Sequence, residues 1–179
     1  DDLLRQAKAV TERPDERELA LLLSTGEIVS STLVAMALRS LGYKAISLNG
    51  GQAGIHTDMD YSRARITAVN PQRILKELRE DTIVIVAGFQ GITDEMAVTT
   101  LGRGASDTTA VALAAGLEAK ICEIYTDVDG IYTADPRIVP DAQILDEIDY
   151  EEMLELASYG AKMHPRSIEL GAMYNIPIL

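Results

Sequence analysis

The run Thr82-Ile83-Val84-Ile85-Val86-Ala87, stopped by Gly88, constrains the fold more than any other segment. It is rich in β-branched side chains and apolar at odd and even positions alike, so both faces of an extended strand would be apolar. That pattern reads as a buried parallel strand, and parallel strands need crossover connections, usually helices. Helical patterns do surround it. Leu3, Leu4, Ala7 and Val10 recur at helical spacing up to Pro14, and Glu18 to Leu41 keeps the same period before Gly42, a left-handed stop. Asn70-Pro71 reads as an N-cap with proline at the first helical position of a helix to about Arg79. Further helices are expected over Ser106 to Glu118, 151–158 and 165–174. Ala45 to Leu48, which meets the turn signal Asn49-Gly50-Gly51, and Ile121 to Thr126, a second buried run, read as strands, with another starting at Ile176. Alternating strands and helices predict an α/β domain with a mostly parallel sheet covered on both faces, and ligands outside the carboxyl ends of its strands.

Composition narrows the partners. The chain has 179 residues, enough for one domain with a real core, and shows no internal repeat. Sixteen Lys and Arg against 28 Asp and Glu leave a net charge of −12, which repels phosphate backbones and anionic lipid. Nucleic acid and membrane surfaces are therefore excluded as expected partners. Uninterrupted apolar stretches such as Ile83 to Phe89 are too short to span a bilayer. A single cysteine, Cys122, forms no internal disulfide and fits a reducing, cytoplasmic setting. The chain opens on Asp1-Asp2 with no initiating Met and no visible signal peptide, so it is expected to be part of a longer polypeptide.

Three segments carry candidate chemistry. Ser24-Thr25-Gly26-Glu27 fits a capping box, with Glu27 returning a bond to the Ser24 amide, or else places Glu27 at a helix start to bind a cationic group of a ligand. Leu101-Gly102-Arg103-Gly104-Ala105-Ser106-Asp107 combines two glycines, an arginine fork and a helix start. Unpaired helical amides and the dipole there attract anions, and Arg103 suits a carboxylate or phosphate; a plain glycine turn with an N-cap is the other reading. The third glycine of a dinucleotide fingerprint is missing, and the chain has no P-loop. Tyr125 to Arg137 gathers three carboxylates, two tyrosines and an arginine after a strand, a composition suited to a nucleotide sugar and base. Tyr132 stands where a calcium loop counted from Asp127 needs glycine, which rejects an EF-hand. His56 and His164 lack the spacing of a metal pair and read as surface or capping residues, Cys122 as a buried inert thiol, and the acidic run Asp146 to Glu155 as a solvated helix face.

These segments, with Val86-Ala-Gly-Phe-Gln-Gly91, Glu152 to Lys162 and His164-Pro-Arg166, closely resemble the aspartokinases of the monofunctional type, in the right order over the whole chain. The resemblance implies a three-layer αβα amino-acid kinase fold with a mostly parallel central sheet. It implies transfer of the ATP γ-phosphoryl group, with Mg²⁺, to the side-chain carboxylate of L-aspartate. That reaction opens the route to lysine, threonine, methionine and diaminopimelate. By the same resemblance, Glu27 holds the substrate ammonium group, and Arg103 with Gly104, Ala105 and Ser106 holds carboxylate. Asp107 and Arg103 serve catalysis, while Thr126, Asp127, Tyr132, Thr133, Ala134, Asp135, Pro136, Arg137 and Lys162 contact ATP. No protein-held metal cage is implied, since Mg²⁺ arrives on the nucleotide. The chain departs from the family pattern in four respects. It lacks the N-terminal Lys-Phe-Gly-Gly-Thr-Ser-like segment, so it is expected to be an incomplete catalytic domain, inactive alone. It lacks the C-terminal ACT domains, where lysine or threonine would bind as feedback regulators; a homo-oligomer is expected of the full-length protein. Its Lys162-to-His164 spacing is one residue short, and Ala105 stands where glycine is common, a mild change if its φ is negative.

Overall fold

The structure, a computed structural model, describes residues 2–160 and 163–179. The elements run α1 (Asp2–Val10), α2 (Glu16–Ser40), β1 (Ala45–Leu48), β2 (Ile55–Thr57), β3 (Ile66–Val69), α3 (Gln72–Arg79), β4 (Ile83–Val86), β5 (Gln90–Ile92), β6 (Val98–Thr100), α4 (Ser106–Gly116), α5 (Tyr150–Ser158) and α6 (Pro165–Tyr174). The α/β reading holds. The apolar run at Thr82 to Ala87 forms β4 and pairs in parallel with β1, from Ala45 opposite Ile83 to Leu48 opposite Val86. A second sheet has the order β3-β2-β5-β6, antiparallel at both ends and parallel only where His56 meets Ile92.

Two strand expectations need adjustment. β4 is only half-buried, with Ile83 exposed, because β1 is its sole partner among the described residues. The second run, Ile121 to Thr126, is reduced to a single parallel bridge between Cys122 and Ile178, flanked by the bond from the Ile124 amide to the Leu179 carbonyl. Strands β2, β3, β5 and β6 lie in segments that carry too few consecutive apolar residues to announce themselves.

The helices follow the sequence pattern closely. α2 ends at Leu41 with Gly42 at φ +89°, the expected left-handed stop. α3 begins one residue later than expected, with Pro71 at the cap position and the Asn70 side chain accepting from the Gln72 amide at 3.3 Å. By length and composition α2 is long and apolar enough to cross a membrane, a helix that a search for uninterrupted apolar runs misses. It lies instead along β1: Arg39 donates to the Ala45 carbonyl at 3.0 Å, and the Thr32 and Ser47 hydroxyls meet at 3.4 Å. A core of Leu48, Ala53, Ile55 and Ile74 fills the space under β1 and β2, and a second of Val111, Ala114, Cys122 and Ile176 lies under α4.

Candidate functional site

The carboxyl end of β4 organises the site. The Ala87 amide donates to the Leu48 carbonyl at 2.8 Å, which ties the ends of β4 and β1 together. Phe89 then takes a left-handed φ of +68°, a conformation costly for a bulky side chain and held here from both sides. Its amide donates to the Thr109 hydroxyl at 3.0 Å, and its carbonyl accepts from the Leu101 amide at 2.9 Å. Gly88 lies against Ser106, where an added Cβ would sit 3.5 Å from the serine Cβ. The turn at 101–106 and the start of α4 are therefore pinned directly outside β4.

That turn has the chemistry of an anion cradle. Gly102 and Gly104 adopt φ of +92° and +72°, while Ala105 has φ −86°, so alanine is tolerated where glycine is common. Among the described residues no side chain caps α4, which leaves its first amides directed outward from the helix end. Arg103 is exposed and makes no ion pair among the described residues. Asp107, half-buried in the first helical turn, lies close enough to Cys122 that its carboxylate adds to the effect of burial in raising the thiol pKa. That upward shift suits an inert thiol. An added Cβ on Gly104 would lie 3.8 Å from His164 Cδ2, so the start of α6 borders the same turn. His164 itself caps α6, its Nδ1 accepting from the Arg166 amide at 3.2 Å.

The capping-box reading of Ser24 to Glu27 is overturned. All four residues lie inside α2, where Asp15 is the N-cap and accepts from the Glu18 amide. The Ser24 hydroxyl donates back to the Leu21 carbonyl, and that of Thr25 to Leu22. The continuous apolar period from Glu18 outweighs a local cap. Glu27 therefore does not stand at a helix start. It projects, exposed and without an ion pair among the described residues, from the middle of α2. Its position is fixed by a neighbour that sequence reasoning passed over: buried Gln90 donates through Nε2 to the Ser24 carbonyl at 3.0 Å. Gly50 in turn packs on Gln90, an added Cβ meeting its carbonyl oxygen at 2.4 Å. Because Thr32 sits over Ser47 and Arg39 over Ala45, the helix runs antiparallel to β1, which carries Glu27 beyond the strand's carboxyl end. Gln90 follows Phe89 directly, so Glu27 and the Arg103 turn are anchored to adjacent residues.

The nucleotide-type segment forms a flap rather than an open loop. Tyr132 and Ile144 form an antiparallel bridge, the Thr133 amide donates to the Gln143 carbonyl, and the Gln143 amide donates to the Thr133 hydroxyl. Thr126 donates to Asp127 Oδ1 at 3.2 Å. Ala134 and Asp135 are half-buried, and Pro136 and Arg137 are exposed. Arg137 grips Asp135 through Nε and Nη2, at 3.0 and 2.7 Å, and through its own amide at 2.9 Å. Those bonds hold the Asp135 carboxyl at about 2, below its ordinary 3.8. A lowered value means the pair contributes above about pH 4 and is lost as pH falls through about 2. A carboxyl-carbon NMR titration should give Asp135 a midpoint near 2, returning toward 3.8 in Arg137→Ala; an unchanged midpoint would show the pair absent in solution. Lys162 lies outside the described residues.

The chain matches the model of the amino acid kinase family over residues 1–179. It belongs to that family. Several of its relatives are named aspartokinases. The chain is 54% identical to an aspartokinase of Geobacillus stearothermophilus, covering 99% of this chain and 44% of that protein. In structure it is similar to aspartate kinase from Synechocystis, with a TM-score of 0.84 at 47% identity, covering 100% of this chain and 29% of that one. It is also similar to E. coli aspartokinase III in complex with aspartate and ADP, with a TM-score of 0.88 at 34% identity, covering 99% and 40%. This amino acid kinase chain thus spans less than half the length of the aspartokinases it matches.

Proposed function

We propose that the protein containing this chain is an aspartate kinase and that the chain forms part of its catalytic domain. The observation that carries this reading is the placement of an exposed carboxylate, Glu27, and an exposed guanidinium, Arg103, on two supports tied to the adjacent residues Gln90 and Phe89. L-Aspartate presents one ammonium and two carboxylates, so its site needs both signs. In the proposed reaction a side-chain carboxylate oxygen of aspartate attacks the γ-phosphorus of ATP. The bond to the bridging oxygen breaks, ADP leaves, and an acyl phosphate, 4-phospho-L-aspartate, remains.

Such a transfer depends on positioning and on neutralising charge, more than on covalent help from the protein. Glu27 receives the ammonium group. Arg103 and the turn Gly104-Ala105-Ser106, which ends at the first residue of α4, receive carboxylate, and Asp107 organises the centre. The flap of Thr126, Asp127 and Tyr132 to Arg137 takes the nucleotide, which brings Mg²⁺ on its phosphates, and Lys162 is assigned to the same nucleotide. A cytoplasmic homo-oligomer and regulation by lysine or threonine through further domains belong to the same reading; its lysine part is supported by the structure of E. coli aspartokinase III in complex with lysine and aspartate.

An ADP-release assay with MgATP and a panel of L-aspartate, L-glutamate, N-acetylglutamate, carbamate and a nucleoside monophosphate tests it. Aspartate should be the preferred acceptor; preference for any other would overturn the assignment. In the nucleotide half of the site, Arg137→Ala is expected to raise the ATP KM by about tenfold through loss of flap order and of a charged contact. The aspartate KM should change far less. Equal changes in both, or none, would return the flap to a structural role.

A further inference from the structure

We propose that the Thr109 hydroxyl is the positioning group of the carboxylate subsite, setting where Arg103 and the turn Gly104-Ala105-Ser106 meet the substrate. The inference rests on the reading that this turn receives a substrate carboxylate. Thr109 lies in the first turn of α4, 2% exposed, and its hydroxyl bonds in two directions. It accepts from the Phe89 amide at 3.0 Å and donates to the Ala105 carbonyl at 3.3 Å. Burial alone does not dictate such pairing. The hydroxyl of the neighbouring Thr108, 4% exposed, has no hydrogen-bond partner among the described residues.

The two bonds tie both ends of the Arg103 turn to one residue. The Leu101 end is held directly, because the Leu101 amide donates to the Phe89 carbonyl at 2.9 Å. The Ala105 end reaches Phe89 through the Thr109 hydroxyl, and the Ala105 amide donates on to the Gly102 carbonyl at 3.3 Å. Between those ends, Gly102 and Gly104 have left-handed backbones, so the segment takes its position from its anchors. Phe89 is itself strained at φ +68°, a conformation that persists only where its surroundings hold it. Loss of the hydroxyl leaves the Phe89 amide unpaired and the turn anchored to Phe89 at one end alone. Arg103 then shifts against the substrate carboxylate, while the nucleotide, assigned to the flap, keeps its contacts.

The test is steady-state kinetics of the full-length protein carrying Thr109→Val or Thr109→Ser, with melting temperatures alongside. Valine keeps the shape and the helical bond from the residue 109 amide to the Ala105 carbonyl, so it removes the hydroxyl bridge alone. It should raise the aspartate KM about tenfold and leave the ATP KM within about twofold. Serine keeps the hydroxyl but drops a methyl group from a buried position. It should lower the melting temperature yet hold the aspartate KM within about twofold of wild type. A merely structural role would make the aspartate KM follow the melting temperature instead. If Thr109→Val does not fold, Thr109→Ala against Thr109→Ser isolates the hydroxyl in the same way. The proposal is overturned by an unchanged aspartate KM without the hydroxyl, by equal rises for both substrates, or by a serine variant that behaves like valine. Arg103→Ala separates the two ways of failing. If it raises the aspartate KM and Thr109→Val does not, the role of Thr109 falls and the subsite stands. If neither does, the subsite assignment falls and this inference with it.

Discussion

In the full-length protein, Glu27→Gln is expected to lower kcat/KM for L-aspartate by about 10- to 150-fold with the melting temperature nearly unchanged. The range follows from losing a charge-assisted bond to the substrate ammonium, worth roughly 1.5–3 kcal/mol. The structure sharpens this expectation. A capping residue would tie Glu27 to the stability of α2, but the N-cap of that helix is Asp15 and Glu27 is exposed within it. Nothing in the fold needs its charge, and glutamine has nearly the same helix propensity. Arg103→Ala should act in the same direction, again with little thermal effect, since Arg103 has no ion pair among the described residues. Steady-state kinetics with calorimetric melting checks both. Wild-type aspartate kinetics in either variant would remove that residue from the substrate site.

The largest effect on stability is expected from Gly54→Ala, a loss of about 4 kcal/mol. Gly54 has φ +79°, and an added Cβ would sit 2.0 Å from the Asn70 carbonyl oxygen. That oxygen is backbone, and the Asn70 amide also donates to the Gly54 carbonyl at 2.8 Å, so neither strand end is free to retreat. Gly42→Ala is the control. Its φ of +89° is equally left-handed, but nothing lies within 4 Å of the added atom, so only the conformational cost of about 1 kcal/mol applies. Urea denaturation of the two variants measures the difference. Equal losses would show that the close approach of β2 to Asn70 is absent in solution.

The long elements were legible because their patterns repeat. α2, α5 and α6 each carry an apolar period over two turns or more, α4 is an Ala- and Leu-rich helix-forming run, and β4 carries four consecutive apolar residues. The three-residue strands β2, β5 and β6 are too short for a period, and all three contain polar residues that become buried: Thr57, Gln90, and Thr99 with Thr100. Gln90 shows most clearly what sequence could not supply. As one amide in a Gly-rich stretch it has no local signature, yet its bond to the Ser24 carbonyl seats the helix that carries Glu27. The capping-box error has the same root. Ser-x-x-Glu is a local signal, and a helix already running from Glu16 overrides it. The turn at 101–107 was readable because glycine at positive φ and an uncapped helix start are properties of the residues themselves.

The most direct measurement is chemical identification of the product. An acyl phosphate reacts with hydroxylamine to give a hydroxamate, whereas phosphate esters and phosphoanhydrides do not under the same mild conditions. Full-length protein incubated with MgATP, L-aspartate and hydroxylamine should accumulate aspartyl hydroxamate in step with ADP, and Glu27→Gln should slow both together. ADP release without hydroxamate, or hydroxamate formed equally well from L-glutamate, would contradict the assignment of this site to the side-chain carboxylate of L-aspartate.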